Sequence, residues 1–253
     1  MSSFVEFKQK LANRENILGT GIMHSTYSGI LELYKETALD FVLFDCEHGA
    51  LNDINIEPML RVCRLLDLPT IVRVPGKHQA FYARPLDMGA DGIMVPRVDT
   101  VAELDEAVRH FRFAPRGYKG FGGLSQIKKG ESLEEVNDNR ILSIQIESRE
   151  GAANLDAMLT KHGNEVGFVL IGPFDLSVDV GTPGRIMTPE ELAVVDSVAE
   201  TCAKHNKTLG MFCGHRDLME FWKGHGVNLF WVTAELYLLM EEINRVCESF
   251  KNL

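Results

Sequence analysis

A closed (β/α)8 barrel is the fold class this chain predicts, and three observations carry the prediction. Eight short apolar runs recur along 253 residues, and amphipathic stretches separate them. The runs are near-continuously apolar rather than alternating, as strands of a parallel sheet covered on both faces must be. One such barrel takes about 250 residues, so the expected organisation is a single barrel domain over residues 1–253. A doubly wound open sheet is the competing architecture, but the Gly-rich dinucleotide turn that would mark it is absent.

The runs span 17–23, 41–47, 69–75, 92–98, 140–148, 166–173, 209–214 and 229–235. After the second, Ile56, Met59, Leu60 and Cys63 fall at i, i+3, i+4 and i+7, one helical stripe. Segments 102–111 and 190–204 have the same character, and Thr188-Pro189-Glu190-Glu191 reads as an N-cap followed by proline at the first helical position. Segment 236–250 reads as an amphipathic helix that packs on its own barrel or on a partner's. Two connections are long: 114–134, with Gly117, Gly120, Gly122, Gly123 and Gly130, and 175–189. Both are expected as lids or walls at the C-terminal ends of the strands.

Composition excludes whole classes. Hydrophobic residues make up 45% and charged residues 25%, ordinary globular values that rule out a disordered or collagen-like chain. Lys and Arg number 26 against 36 Asp and Glu, a net charge of −10, so the basic footprint of a nucleic-acid or anionic-membrane binder is missing. A small anionic substrate remains within reach, because a metal or a few local cations outweigh the global field. Cys46, Cys63, Cys202, Cys213 and Cys247 are odd in number and lack C-x-x-C spacing, so neither a disulfide framework nor a structural zinc site follows. The N-terminus has no basic and apolar leader, and no apolar run approaches the roughly 18 residues of a membrane span. A cytoplasmic globular protein is expected.

In a barrel, residues at the C-terminal strand ends face the active site. The second run ends in Asp45-Cys46-Glu47-His48-Gly49, the third carries Arg73, the fifth carries Gln145 and Glu147, and the sixth ends in Gly172-Pro173-Phe174-Asp175. Polar groups there are costly unless they bond or ligate something. Glu147 and Asp175 suit a hard divalent cation such as Mg2+ or Mn2+ completed by water and substrate; the bland alternative makes each an N-cap or the partner of an arginine. Asp45 and His48 suggest a dyad in which the carboxylate orients an imidazole that moves protons. Arg73, flanked by valines, must find an anion: a substrate oxygen, or Asp45 or Glu47.

Other groups carry less. His24, His78 and His215 fall near the barrel mouth as one alternative, but the reading favoured for them, as for His110, His162, His205 and His225, is surface or loop histidines. Lys119, Lys128 and Lys129 lie outside the apolar strands, which favours solvated roles over Schiff-base chemistry. Cys46 sits between two acids, which disfavours its thiolate.

Taken jointly, Phe-Val-Leu-Phe-Asp45-Cys-Glu47-His48-Gly, Val-Arg73-Val-Pro, Leu86-Asp-Met-Gly89-Ala-Asp-Gly-Ile-Met-Val-Pro96, Ile-Gln145-Ile-Glu147-Ser and Ile-Gly172-Pro-Phe-Asp175-Leu-Ser177 resemble the metal-dependent (class II) pyruvate aldolases of the HpcH/HpaI type. That family includes 4-hydroxy-2-oxoheptanedioate and 2-keto-3-deoxy-L-rhamnonate aldolases. The resemblance implies a barrel with its last helix swapped between subunits, in a homohexamer built as a trimer of dimers. It implies a divalent ion (Mg2+, Mn2+ or Co2+) on Glu147 and Asp175, and reversible cleavage of a 4-hydroxy-2-oxo acid to pyruvate and an aldehyde through an enolate. Arg73 would take the enolate oxygen, Asp45 and His48 proton transfer, and the backbone amides around Asp175, in the Gly172-Pro173-Phe174-Asp175 turn, the pyruvate carboxylate at a helix N-terminus. Gln145 and Glu47 would support the ligands and water. The alternatives are a C–C lyase or decarboxylating synthase on the same enolate, of macrophomate-synthase or acyl-CoA-lyase type, or a catalytically silent binding barrel.

Overall fold

The structure is a computed structural model that describes residues 2–128, 130–251 and 253; it closes eight parallel strands into one barrel, in chain order. The strands are β1 (Ile17–Ile22), β2 (Phe41–Asp45), β3 (Thr70–Arg73), β4 (Gly92–Val95), β5 (Ile141–Ile146), β6 (Val166–Ile171), β7 (Thr208–Phe212) and β8 (Leu229–Ala234). Each falls on its predicted run. The runs extend past the ladder at their C-terminal ends because the chain there stays buried after pairing stops, as at Val74, Val98, Glu147 and Ser148.

The helices are α1 (Ser3–Asn13), α2 (Gly29–Lys35), α3 (Asp53–Leu65), α4 (Gln79–Asp87), α5 (Val101–Phe111), α6 (Leu133–Asn139), α7 (Arg149–His162), α8 (Pro173–Asp179), α9 (Pro189–Lys204), α10 (Met219–Gly224) and α11 (Glu235–Lys251). Alternate strand residues face the interior and the helices. Outward Val42, Phe44 and Val72 pack with Ile56, Met59, Leu60 and Cys63, the stripe read from the sequence. The inward series starts apolar: Phe41 and Leu43, Ile71, Met94, Phe168, Leu170 and Leu229 join Phe4, Phe7 and Leu11 of α1 in one cluster. Phe7 stacks on Phe41 at 5.2 Å. Helix α1 therefore stoppers the N-terminal end of the barrel, with each of its three buried side chains stabilising by about 1.5–3 kcal/mol. Toward the other end the inward series turns polar, to Asp45, Arg73, Ser143 and Gln145.

Two expectations are corrected. Segment 114–134 is not a lid on this chain's cavity: it follows α5 rather than a strand. It is strapped to the barrel's flank by Arg64, which donates to the Ser125 and Ile127 carbonyls, and by Lys119. Lys119 is not solvated. Its ammonium is buried, 2.5 Å from Asp87 Oδ1 and 2.9 Å from Gln126 Oε1, because the irregular loop needs a polar anchor beneath it. Lys128 pairs with Asp91, and Lys129 lies outside the described residues. Several histidines tie neighbouring helices: His162 to Asp105 (2.6 Å), His205 to Asp156 (2.7 Å) and His225 to Asp196 (2.6 Å). No helix is long and apolar enough to cross a membrane among the described residues.

Candidate active site

Asp45 and Arg73 are direct register partners across β2 and β3. Both point inward, so the carboxylate accepts from Arg73 Nε at 2.9 Å and from Nη2, a bidentate pair. Asp45 is fully buried and Arg73 nearly so. Burial works against the guanidinium charge, yet hydrogen bonding and charge from Asp45, with Glu47 and Glu147, raise its pKa above the ordinary value.

Asp45 Oδ1 also accepts the backbone N–H groups of Glu47 (3.0 Å) and His48 (3.2 Å). The expected Asp45–His48 dyad is therefore absent: the carboxylate holds the His48 backbone, not its imidazole. A buried guanidinium in register needs the carboxylate more than a half-exposed imidazole does. The nearest carboxylate to the imidazole is Glu47, with Nε2 3.8 Å from Oε2. Glu47 Oε2 is also 3.1 Å from Arg73 Nη1, an ion pair off the N–H axis and so not a hydrogen bond. Burial raises the Glu47 pKa, opposed by Arg73 and His48. Cys46 is pushed up to about 12 by burial first and Asp45 second, which removes it as a nucleophile.

Glu147 stands one step beyond the Ile146–Ile171 register pair and so faces Gly172. A Cβ on Gly172 would collide with Glu147 Oε1 and lie 3.0 Å from Gln145 Nε2, so only glycine leaves this carboxylate its place. Gln145 Nε2 donates to Glu147 Oε1, while Gln145 Oε1 is buried without a partner. The Glu147 pKa is pushed up to about 8, by burial first and then by the charges of Asp175 and Glu47; Arg73 and Arg97 oppose this only through space. Asp175 is in the first turn of α8, where Leu176 N–H makes the helical bond to the Gly172 carbonyl at 3.0 Å. A buried carboxylate repelled by two others fits a hard divalent cation, which would relieve the repulsion. Among the described residues no group of three or more His, Cys, Asp or Glu forms a fuller ligand set, so water and substrate oxygens would complete it.

Several of these groups line a cavity of about 450 Å3 at the C-terminal strand ends. Arg73, His48, Gln145 and Asp175 line one side, with Gly172 and Pro173; Met23, Phe174, Phe212 and Trp231 form an apolar side. Of the apolar lining, sequence reasoning had singled out Phe174 and missed Met23, Phe212 and Trp231; it also missed Tyr237, and it favoured a surface or loop role for His24, which lines the cavity. It also missed Glu235, whose carboxylate accepts the backbone N–H groups of Met23 (2.9 Å), His24 (2.6 Å) and Ser25 (2.7 Å) and fixes the β1–α2 loop. A carboxylate closing the eighth apolar run was the available signal, the same one that marks Glu147.

A parallel barrel that gathers ionisable groups at the C-terminal ends of its strands has the construction of a barrel enzyme. The chain belongs to the HpcH/HpaI aldolase/citrate lyase family, whose match covers residues 24–229. It is 28% identical to a hydroxypyruvate/pyruvate aldolase of Roseobacter denitrificans, over 97% of this chain and 96% of that one. It is also 28% identical to a 2-keto-3-deoxy-L-rhamnonate aldolase of Klebsiella pneumoniae, over 97% of this chain and 93% of that one. Among solved structures, an HpcH/HpaI aldolase from Desulfitobacterium hafniense superposes with a TM-score of 0.88 at 27% identity, covering 97% of this chain and 96% of that chain.

Proposed function

We propose that this protein is a metal-dependent pyruvate aldolase, a carbon–carbon lyase that reversibly cleaves a 4-hydroxy-2-oxo acid to pyruvate and an aldehyde. The observation that carries the reading is a cavity lined by Asp175 and by a guanidinium that Asp45 fixes, with the buried Glu147 carboxylate directly behind its Gln145 and Gly172 lining. Glu147 and Asp175 would hold Mg2+, Mn2+ or Co2+, which when bound supplies Lewis-acid polarisation of the keto group.

The chain's own residues divide the rest of the work. The first backbone amides of α8, at Phe174 and Asp175 behind Gly172 and Pro173, would bind the pyruvate carboxylate. Gln145 steadies Glu147. His48, with Glu47 behind it, takes the C4 hydroxyl proton directly or through water. The C3–C4 bond then breaks, the aldehyde carbonyl forms, and the electron pair remains on the pyruvate half as an enolate. Arg73 stabilises the enolate oxygen with the N–H groups that Asp45 leaves free. Protonation at C3 gives pyruvate. Met23, Phe174 and Phe212 bound the space left for the aldehyde. One barrel domain over residues 1–253 would carry the whole reaction in the cytoplasm, with α11 exchanged between copies in a homohexamer.

A panel of 4-hydroxy-2-oxo acids, assayed for pyruvate release with the metal varied, tests this reading. EDTA-treated protein should lose pyruvate release and regain it with Mg2+, Mn2+ or Co2+. Full turnover after verified metal removal would refute metal dependence, and no release from any substrate in the panel would refute the aldolase reading.

A further inference from the structure

The indole of Trp231 is 2% exposed, yet it lines the cavity and carries the Arg73 guanidinium on its face, with Cζ 5.1 Å from the ring centroid. We propose that Trp231 is a positioning residue for Arg73, setting the plane in which the guanidinium meets the enolate oxygen; this rests on the aldolase reading above.

The bidentate pair with Asp45 fixes the guanidinium along the line of the two carboxylate oxygens. It resists tipping about that line only weakly, because hydrogen-bond energy changes slowly with small out-of-plane angles. Glu47 does not supply the missing restraint, since it lies off the N–H axis of Nη1. A flat aromatic face does, and it attracts the cation while doing so.

The indole is itself held from three sides. Its Nε1–H donates to the Thr233 carbonyl at 3.0 Å. Gly21 gives it room, for a Cβ there would lie 2.7 Å from Nε1. Phe212, its register partner in β7, packs edge-on at 4.7 Å and 66°. The barrel therefore sets a rigid, held ring against the one arginine to which the enolate oxygen is assigned.

Trp231→Leu and Trp231→Phe, compared by pyruvate release in the presence of Mg2+, test the role. A desolvated cation–ring contact predicts about a tenfold loss of kcat for Trp231→Leu, with KM much less affected, and recovery of most of it in Trp231→Phe. Wild-type kcat in Trp231→Leu, an effect confined to KM, or a Trp231→Phe no better than Trp231→Leu would overturn the proposal. A second measurement needs neither of these variants. Trp222 and Trp231 are the two tryptophans, so in a Trp222→Phe protein the emission is that of Trp231. Replacing Arg73 by Met in that background should shift the emission, as should adding pyruvate with Mg2+ to the Arg73 form. Unchanged emission in both would overturn the proposal. Because this arm needs no turnover, a wild type that releases no pyruvate would count against the aldolase reading alone.

Discussion

Asp45 shows how one buried side chain can organise the groups around it. Its two oxygens serve the Arg73 guanidinium and two backbone amides of the following turn, so strand, turn and cation are fixed by one buried charge. Removing the Asp45 charge leaves the buried guanidinium without its bidentate partner, with only the off-axis Glu47 ion pair in its place. Asp45→Asn should therefore lose about 3–5 kcal/mol of stability; urea unfolding measures it, and a loss below 1 kcal/mol would show that water replaces the carboxylate. The need of Arg73 for an anion was legible in the sequence, because valines flank it in a core strand. The choice among Asp45, Glu47 and substrate was not, since it depends on which residues lie opposite each other across β2 and β3. The same kind of cross-strand register, invisible along the chain, decides that Glu147 faces Gly172.

Among the elements, the strands were the most legible, because burial on both faces writes a continuous apolar run. Only α3, α5, α9 and α11 were read individually: α2, α6, α8 and α10 are short, and α1 shows its function only when the barrel floor is present to receive it. Segment 114–134 was misplaced because glycine content marks irregular chain without saying which end of a barrel it occupies. The start of α9 was read correctly from Thr188-Pro189-Glu190-Glu191, and Glu191 there has an energetic signature. It is fully buried, one oxygen accepts the Met187 N–H, and the other has no partner. Burial raises its pKa from 4.5 to about 6. The folded state thus holds this proton more tightly than the unfolded state, so its stabilising contribution is full below pH 4.5 and is lost as pH rises to about 6. Glu191→Gln should flatten the pH dependence of Tm between those values and raise Tm at pH 7. An unaltered Tm–pH curve in the variant would assign the slope to other groups.

At the scale of the whole molecule, α11 is the outlier. Only Glu235 of it is buried, while Leu236, Leu239, Met240, Ile243, Val246 and Phe250 lie exposed at helical spacing. A contiguous exposed apolar stripe marks an interaction surface, which is the basis for the proposed exchange of α11 between copies. Leu239→Glu with Ile243→Glu should lower the assembly mass measured by sedimentation, and an unchanged mass would remove α11 from the interface. The closure of the barrel also has a consequence for the order of events during synthesis. Ile17 pairs with Leu229 and Leu18 with Phe230, so the seam joins the two ends of the chain. On the ribosome, β1 and β7 therefore keep bare hydrogen-bonding edges until β8 emerges, and contacts so distant in sequence close slowly. A nascent chain stalled before Leu229 would present both edges at once. Such fragments are clients for chaperones and proteases rather than partly working enzymes, because the last strand completes the same ring that the first one opens.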